Sequence, residues 1–163
     1  MLRYVACLLP ALASTAVIAQ AQLAPKSSPS LTVYPLRNQN PEKMVDFSCG
    51  CYLYTQSNWE QHPKLPTAFQ SGWDPKDSLA WANVGGNDIT LKLVSVKDPK
   101  VWKKGASSIR VYEYDTVSVR CELTVSGECP PNTHCDGVPL RGTMQVTVGE
   151  KTRSVRVWGF CGC

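Results

Sequence analysis

Apolar and polar residues alternate along most of the chain beyond residue 46. Successive side chains on a strand point to opposite sides, so period two is the signature of a half-buried strand. From Phe47, one face carries Phe47, Cys49, Cys51 and Leu53 and the other carries Ser48, Gly50, Tyr52 and Tyr54. Residues 79–84 and 89–96 flank Gly85-Gly86-Asn87-Asp88, a turn cluster able to supply positive φ, which predicts a hairpin. A further strand is expected over 109–114, with a break near Asp115. The cleanest alternation follows: Val117, Val119, Cys121, Leu123 and Val125 share a face against Ser118, Arg120, Glu122 and Thr124, which places Cys121 in the core. Residues 143–148 and 152–160 surround Gly149-Glu150-Lys151 and predict a second hairpin. In its last strand Val155, Val157, Gly159, Cys161 and Cys163 face one way and Ser154, Arg156 and Trp158 the other.

No stretch after residue 46 carries a helical stripe of useful length. The pattern therefore predicts an all-β fold, a single small antiparallel β-sandwich or partly open barrel of about six to eight strands. Parallel pairing is excluded by the lack of crossover helices. The region 56–76 breaks the rhythm: it holds Pro63, Pro66, Pro75 and Gly72 beside Trp59, Phe69 and Trp73, and reads as a long aromatic loop.

The N-terminus reads as an export signal over residues 1–21, with Arg3, an apolar run and a small-x-small site at Ala19-Gln20-Ala21. Residues 22–45, rich in Pro, Ser, Asn and Gln, are expected to form a flexible arm, and 46–163 the β-domain. No segment reaches the roughly 20 apolar residues of a membrane-spanning helix. The expected location is secreted or periplasmic.

Cleavage would remove Cys7 and leave seven of the eight cysteines, an odd number. In an oxidising compartment they form a disulfide framework. The candidates are Cys49, Cys51, Cys129, Cys135, Cys161 and Cys163, with Cys121 as the buried free thiol. Pairing Cys129 with Cys135 and joining the two Cys-x-Cys strands is one preference among 15 connectivities open to six cysteines. The alternative gathers Cys49, Cys51, Cys161 and Cys163 as thiolates around zinc or copper.

The net charge of +4 is weak and the basic residues are dispersed, so no nucleic-acid partner is expected. The two histidines, His62 and His134, stand in no catalytic motif, and no nucleophile elbow, phosphate loop or dinucleotide fingerprint occurs. A non-enzymatic binding module without a cofactor is the expectation, with an envelope or extracellular protein or glycan as partner. Its anchors are sought first in the aromatic loop, at Trp59, His62, Phe69 and Trp73, whose rings either meet a ligand or fold back to cap one end of the domain. Arg156 and Trp158, with Arg153 nearby, form a second candidate patch.

Overall fold

The computed structural model describes residues 31–37, 49–59, 67–74, 76, 79–127 and 137–162, with the backbone alone at Asn58 and Trp59. Nine strands follow one another along the chain: β1 Val33–Tyr34, β2 Gly50–Thr55, β3 Phe69–Gly72, β4 Leu79–Val84, β5 Asn87–Lys97, β6 Ser107–Tyr114, β7 Val117–Val125, β8 Gly137–Val148 and β9 Lys151–Gly162. A single helical turn, α1 Gln56–Trp59, follows β2. From β2 to β9 each strand pairs antiparallel with the next, and β9 returns to pair with β2. The result is a closed, eight-stranded, up-and-down barrel, the solution that removes open sheet edges from most of its length. β1 is the extra strand. It continues the edge of β4 beyond β3, which takes Ala80 to Ala82 while β1 takes Asn83 and Val84.

Closure depends on the strands turning sharply at a few points. Gly142 and Gly159 lie on inward-facing positions of β8 and β9, and a Cβ at either would overlap a carbonyl oxygen of the neighbouring strand, Glu122 O and Tyr52 O respectively. Such side-chain-free positions let strands approach and coil at barrel corners. The expected hairpin forms, and Gly85 and Gly86, at φ 64° and 87°, suffice for its turn, Asn87 and Asp88 of the turn cluster already belonging to β5.

Inward positions fill the barrel with side chains, as an eight-stranded barrel can. Leu53, Phe69, Leu91, Tyr112, Val119, Leu140, Met144, Val146 and Val157 are all fully buried there. Phe69 meets Tyr112 edge-on, with ring centroids 5.2 Å apart. Within the stretch expected as an arm, residues 31–37 lie against the barrel. Leu36 is buried, its N–H donates to Thr67 O, and Leu31 and Val33 pack on the core.

The two ends differ. At one end β4–β5, β6–β7 and β8–β9 are joined by two-residue turns; at the other lie Cys49, the segment after β3, residues 98–106 and the chain leading into β8. No helix among the described residues is long and apolar enough to cross a membrane.

Candidate functional site

The cysteines staple the barrel where it closes. β2 and β9 are its first and last strands, and Cys51 and Cys161, directly opposed across them, form a disulfide. Cys49 is disulfide-bonded too. Three of the four Cys-x-Cys sulfurs are therefore oxidised, and the alternative of a zinc or copper site built from Cys49, Cys51, Cys161 and Cys163 loses the thiolates it requires. Among the described residues, no group of His, Cys, Asp or Glu is placed to hold a metal ion. Cys129, Cys135 and Cys163 lie outside the described residues, as do His62 and His134.

A polar hub lies inside the same end. β6 turns Ser108, Arg110 and Tyr112 inward, and all three are buried. The Arg110 guanidinium donates to Asp98 through Nε (3.2 Å) and Nη2 (2.6 Å), to Gly72 O through Nη1 (3.0 Å) and to Trp73 O through Nη2 (2.8 Å). Ser108 Oγ donates to the same carboxylate at 2.7 Å. Burial alone would lower the Arg110 pKa, but the hydrogen bond to Asp98 and the charges nearby outweigh it and hold the group above its ordinary value. The hub ties the end of β3 to the segment after β5, and Trp73 and Trp102 pack ring on ring above it, centroids 4.8 Å apart. Since every donor drawn on is matched by an acceptor of the chain, we read it as a structural clamp.

Cys121 faces this hub as a free, buried thiol. Burial pushes its pKa up to about 12 against the opposing pull of Arg110. At neutral pH it is a protonated thiol with no thiolate character to use in catalysis.

The outer wall of β7, β8 and β9 is different in kind. The ladder sets Thr124, Arg141, Trp158 and Tyr54 in one row across four strands, and Glu122, Thr143 and Arg156 in the next row. Directly opposed side chains on neighbouring strands have Cβ atoms about 5 Å apart, so Arg141 lies beside Trp158, while Arg156 stands two residues away on the same face of β9. Together with Gly142 and the flanking threonines they line a hollow of about 410 Å³. Arg141 and Arg156 are exposed, and the one acid in these rows, Glu122, is held by Arg120 at 2.7 Å. Among the described residues neither Arg141 nor Arg156 forms an ion pair. On the far side of Trp158, Phe160 stacks on Tyr52 at 5.0 Å and is 37 % exposed, while Tyr54 beneath is buried. That burial, with Tyr52 adding to it, raises the Tyr54 pKa.

Of the residues singled out in the sequence, the structure gathers Arg156 and Trp158 on this wall. Phe69 lies in β3 at 1 % exposure and its ring belongs to the core. Trp73 caps the disulfide end with its ring against Trp102, and its backbone N–H donates to Cys49 O. Trp59 ends α1, and its side chain lies outside the described residues. Arg141 was not singled out, although strict alternation through β8 puts it on the polar face beside Thr143 and Gln145. What was lacking was the register that sets it opposite Trp158. No family model matches the chain, and neither a curated protein nor a solved structure matches it.

Proposed function

We propose that this chain is an exported, non-enzymatic binding module that holds an acidic glycan against the outer wall of β8 and β9. The observation that carries the reading is the trio Arg141, Trp158 and Arg156, lining one hollow, with no carboxylate of the described chain paired to either guanidinium. An indole face offers a flat apolar platform to the C–H face of a sugar ring. A planar guanidinium offers paired donors to a carboxylate or sulfate, whose charge strengthens each bond. Glycan binding of this kind needs no nucleophile, and the buried Cys121 thiol is not one.

Export is supported by the signal-like N-terminus and by the disulfide, which fits an oxidising extracellular or periplasmic location. The loops that the sequence put first contribute less to this reading, because Phe69 and Trp73 are engaged within the barrel.

The test is retention of the purified protein on immobilised uronate and sulfated oligosaccharides, with neutral dextran as the control. Trp158→Ala, Arg141→Ala and Arg156→Ala should each weaken binding about tenfold, and raised salt should weaken it further. Equal retention on dextran, or full retention by the triple variant, would sink the proposal.

A further inference from the structure

Among the described residues, β9 lacks a strand neighbour on one side over part of its length. β2 ends at Thr55, opposite Val157, but β9 begins six residues earlier, and over 151–156 the described strands pair with it only on the β8 side. Residues 151–154 are exposed.

Two features fix which backbone groups meet this open edge. Gly149-Glu150 is a two-residue turn, so Val148 and Lys151 are the hydrogen-bonded pair that closes it, and odd-numbered residues of β9 give their N–H and C=O to β8. On the other side Cys51 and Cys161 stand 4.0 Å apart at Cα, the close spacing of a pair that exchanges no backbone bonds. Even-numbered residues therefore address the β2 side. Past the end of β2, Thr152 and Ser154 point N–H and C=O at this open side, and no backbone partner for them occurs among the described residues.

A hollow of about 580 Å³ runs along this edge. Val33 and Val155, both packed on the core, form its apolar part, Arg153 and Arg156 its charged rim, and Thr55, Gln56 and Ser57, where β2 runs into α1 beside β9, its opposite wall. Lys151, Arg153 and Arg156 give the six residues three positive charges, with Glu150 in the turn as the adjacent acid. Arg153 reaches Thr32 Oγ1 at 3.4 Å, and none of the three forms an ion pair among the described residues.

We infer that the open edge of β9 accepts an extended acidic segment of a partner protein, added as a strand at Thr152 and Ser154. Main-chain bonds supply affinity in this mode, and alternate side chains supply specificity. The apolar set covers Val33 and Val155 on the inner face, and the carboxylates of the alternate set meet Arg156 on the outer face; Lys151 and Arg153, which share the face of Val155, add their charge at the exposed end of the strand. This site shares only Arg156 with the glycan wall, so the two readings fail separately.

The experiment is titration of a short blocked peptide of alternating glutamate and valine, followed by calorimetry. Ser154→Pro removes an N–H that β8 does not use and leaves that ladder whole, as an edge position allows. It should retain the fold by circular dichroism and weaken the peptide at least about tenfold, as should N-methylation of the peptide's own backbone in a titration of the unaltered protein. Arg141→Ala should bind the peptide normally. Three results would overturn the inference: no binding by the unaltered protein, equal binding of the N-methylated peptide, which would reduce the effect to charge attraction, or a peptide-independent dimer abolished by Ser154→Pro, which would make the occupant a second copy.

Discussion

Replacing Arg110 with methionine tests whether the polar hub is the clamp that fixes the disulfide end. Methionine keeps much of the apolar stem and loses every donor. Asp98, 18 % exposed, would retain Ser108 but lose its charge partner, and Gly72 O and Trp73 O would lose the guanidinium. Breaking one side of a buried pair costs about 3–5 kcal/mol, because the remaining charge stays desolvated. At roughly 4 °C per kcal/mol for a domain of this size, the melting temperature should fall by about 12–20 °C. Asp98→Asn should cost less, since it keeps an oxygen for Ser108 and for one guanidinium bond. Combining it with Arg110→Met should cost clearly less than the sum, because neither variant then strands a charge. The assay is thermal and urea unfolding of the four proteins in a double-mutant cycle. A loss under about 1 kcal/mol for Arg110→Met, or strict additivity, would show that the pair is solvated and would refute the clamp.

Three further outcomes follow from the same architecture. Gly159→Ala sets a methyl group against Tyr52 O at the strand pair that closes the barrel, and should cost about 3 kcal/mol or more, whereas Gly105→Ala, with open space around it but a φ of 84° that costs alanine about 1–2 kcal/mol, should cost less; equal losses in urea unfolding would contradict the close approach. Cys121 has a raised folded pKa, so its contribution is fully present below the unfolded value near 9 and is lost as pH rises towards about 12; stability should fall by up to about 1.4 kcal/mol per pH unit across that window, and Cys121→Ala should flatten the slope, which thermal scans from pH 8 to 11 would check. Cys51→Ala with Cys161→Ala opens a span of 110 residues, for which chain entropy predicts about 5 kcal/mol, less whatever the Cys49 disulfide already restrains; an unchanged urea midpoint would contradict the stapling role.

Much of the barrel was legible because most of its strands obey period two. β7 falls where the alternation puts it, and both Gly-containing hairpins form at their turn clusters, with tighter turns than the clusters suggest because Asn87, Asp88 and Lys151 belong to strands. Cys51 and Cys161 continue the buried faces of β2 and β9, as their phase required. β3 has no signature of its own: four residues among prolines and aromatics are too few to show a period, and by sequence Phe69 falls in a stretch that reads as a loop. β6 held the more instructive difficulty. Its apolar residues Ile109 and Val111 suggest one inner face, yet the barrel takes Ser108, Arg110 and Tyr112 inward. The reason is register. The two-residue turn at Asp115-Thr116 pairs Tyr114 with Val117, and since β7 turns Val119 and Cys121 inward, even-numbered residues of β6 must follow them. The buried arginine was thus encoded in a turn length and a partner strand rather than in its own segment. The wall around Trp158 was half legible for a similar cause, since alternation named Arg156 and Trp158 but only the β8–β9 ladder brings in Arg141.

The most direct measurement for the glycan wall is a heteronuclear NMR titration of the isotope-labelled protein with a short uronate oligosaccharide. The proposal predicts that the Trp158 indole N–H and the Arg141 and Arg156 guanidinium signals move together and saturate, while the turn at Gly85-Gly86 and the buried Tyr112 stay still. Shifts confined to Trp73, Trp102 and the disulfide end, or no saturable shift on β8 and β9, would contradict it.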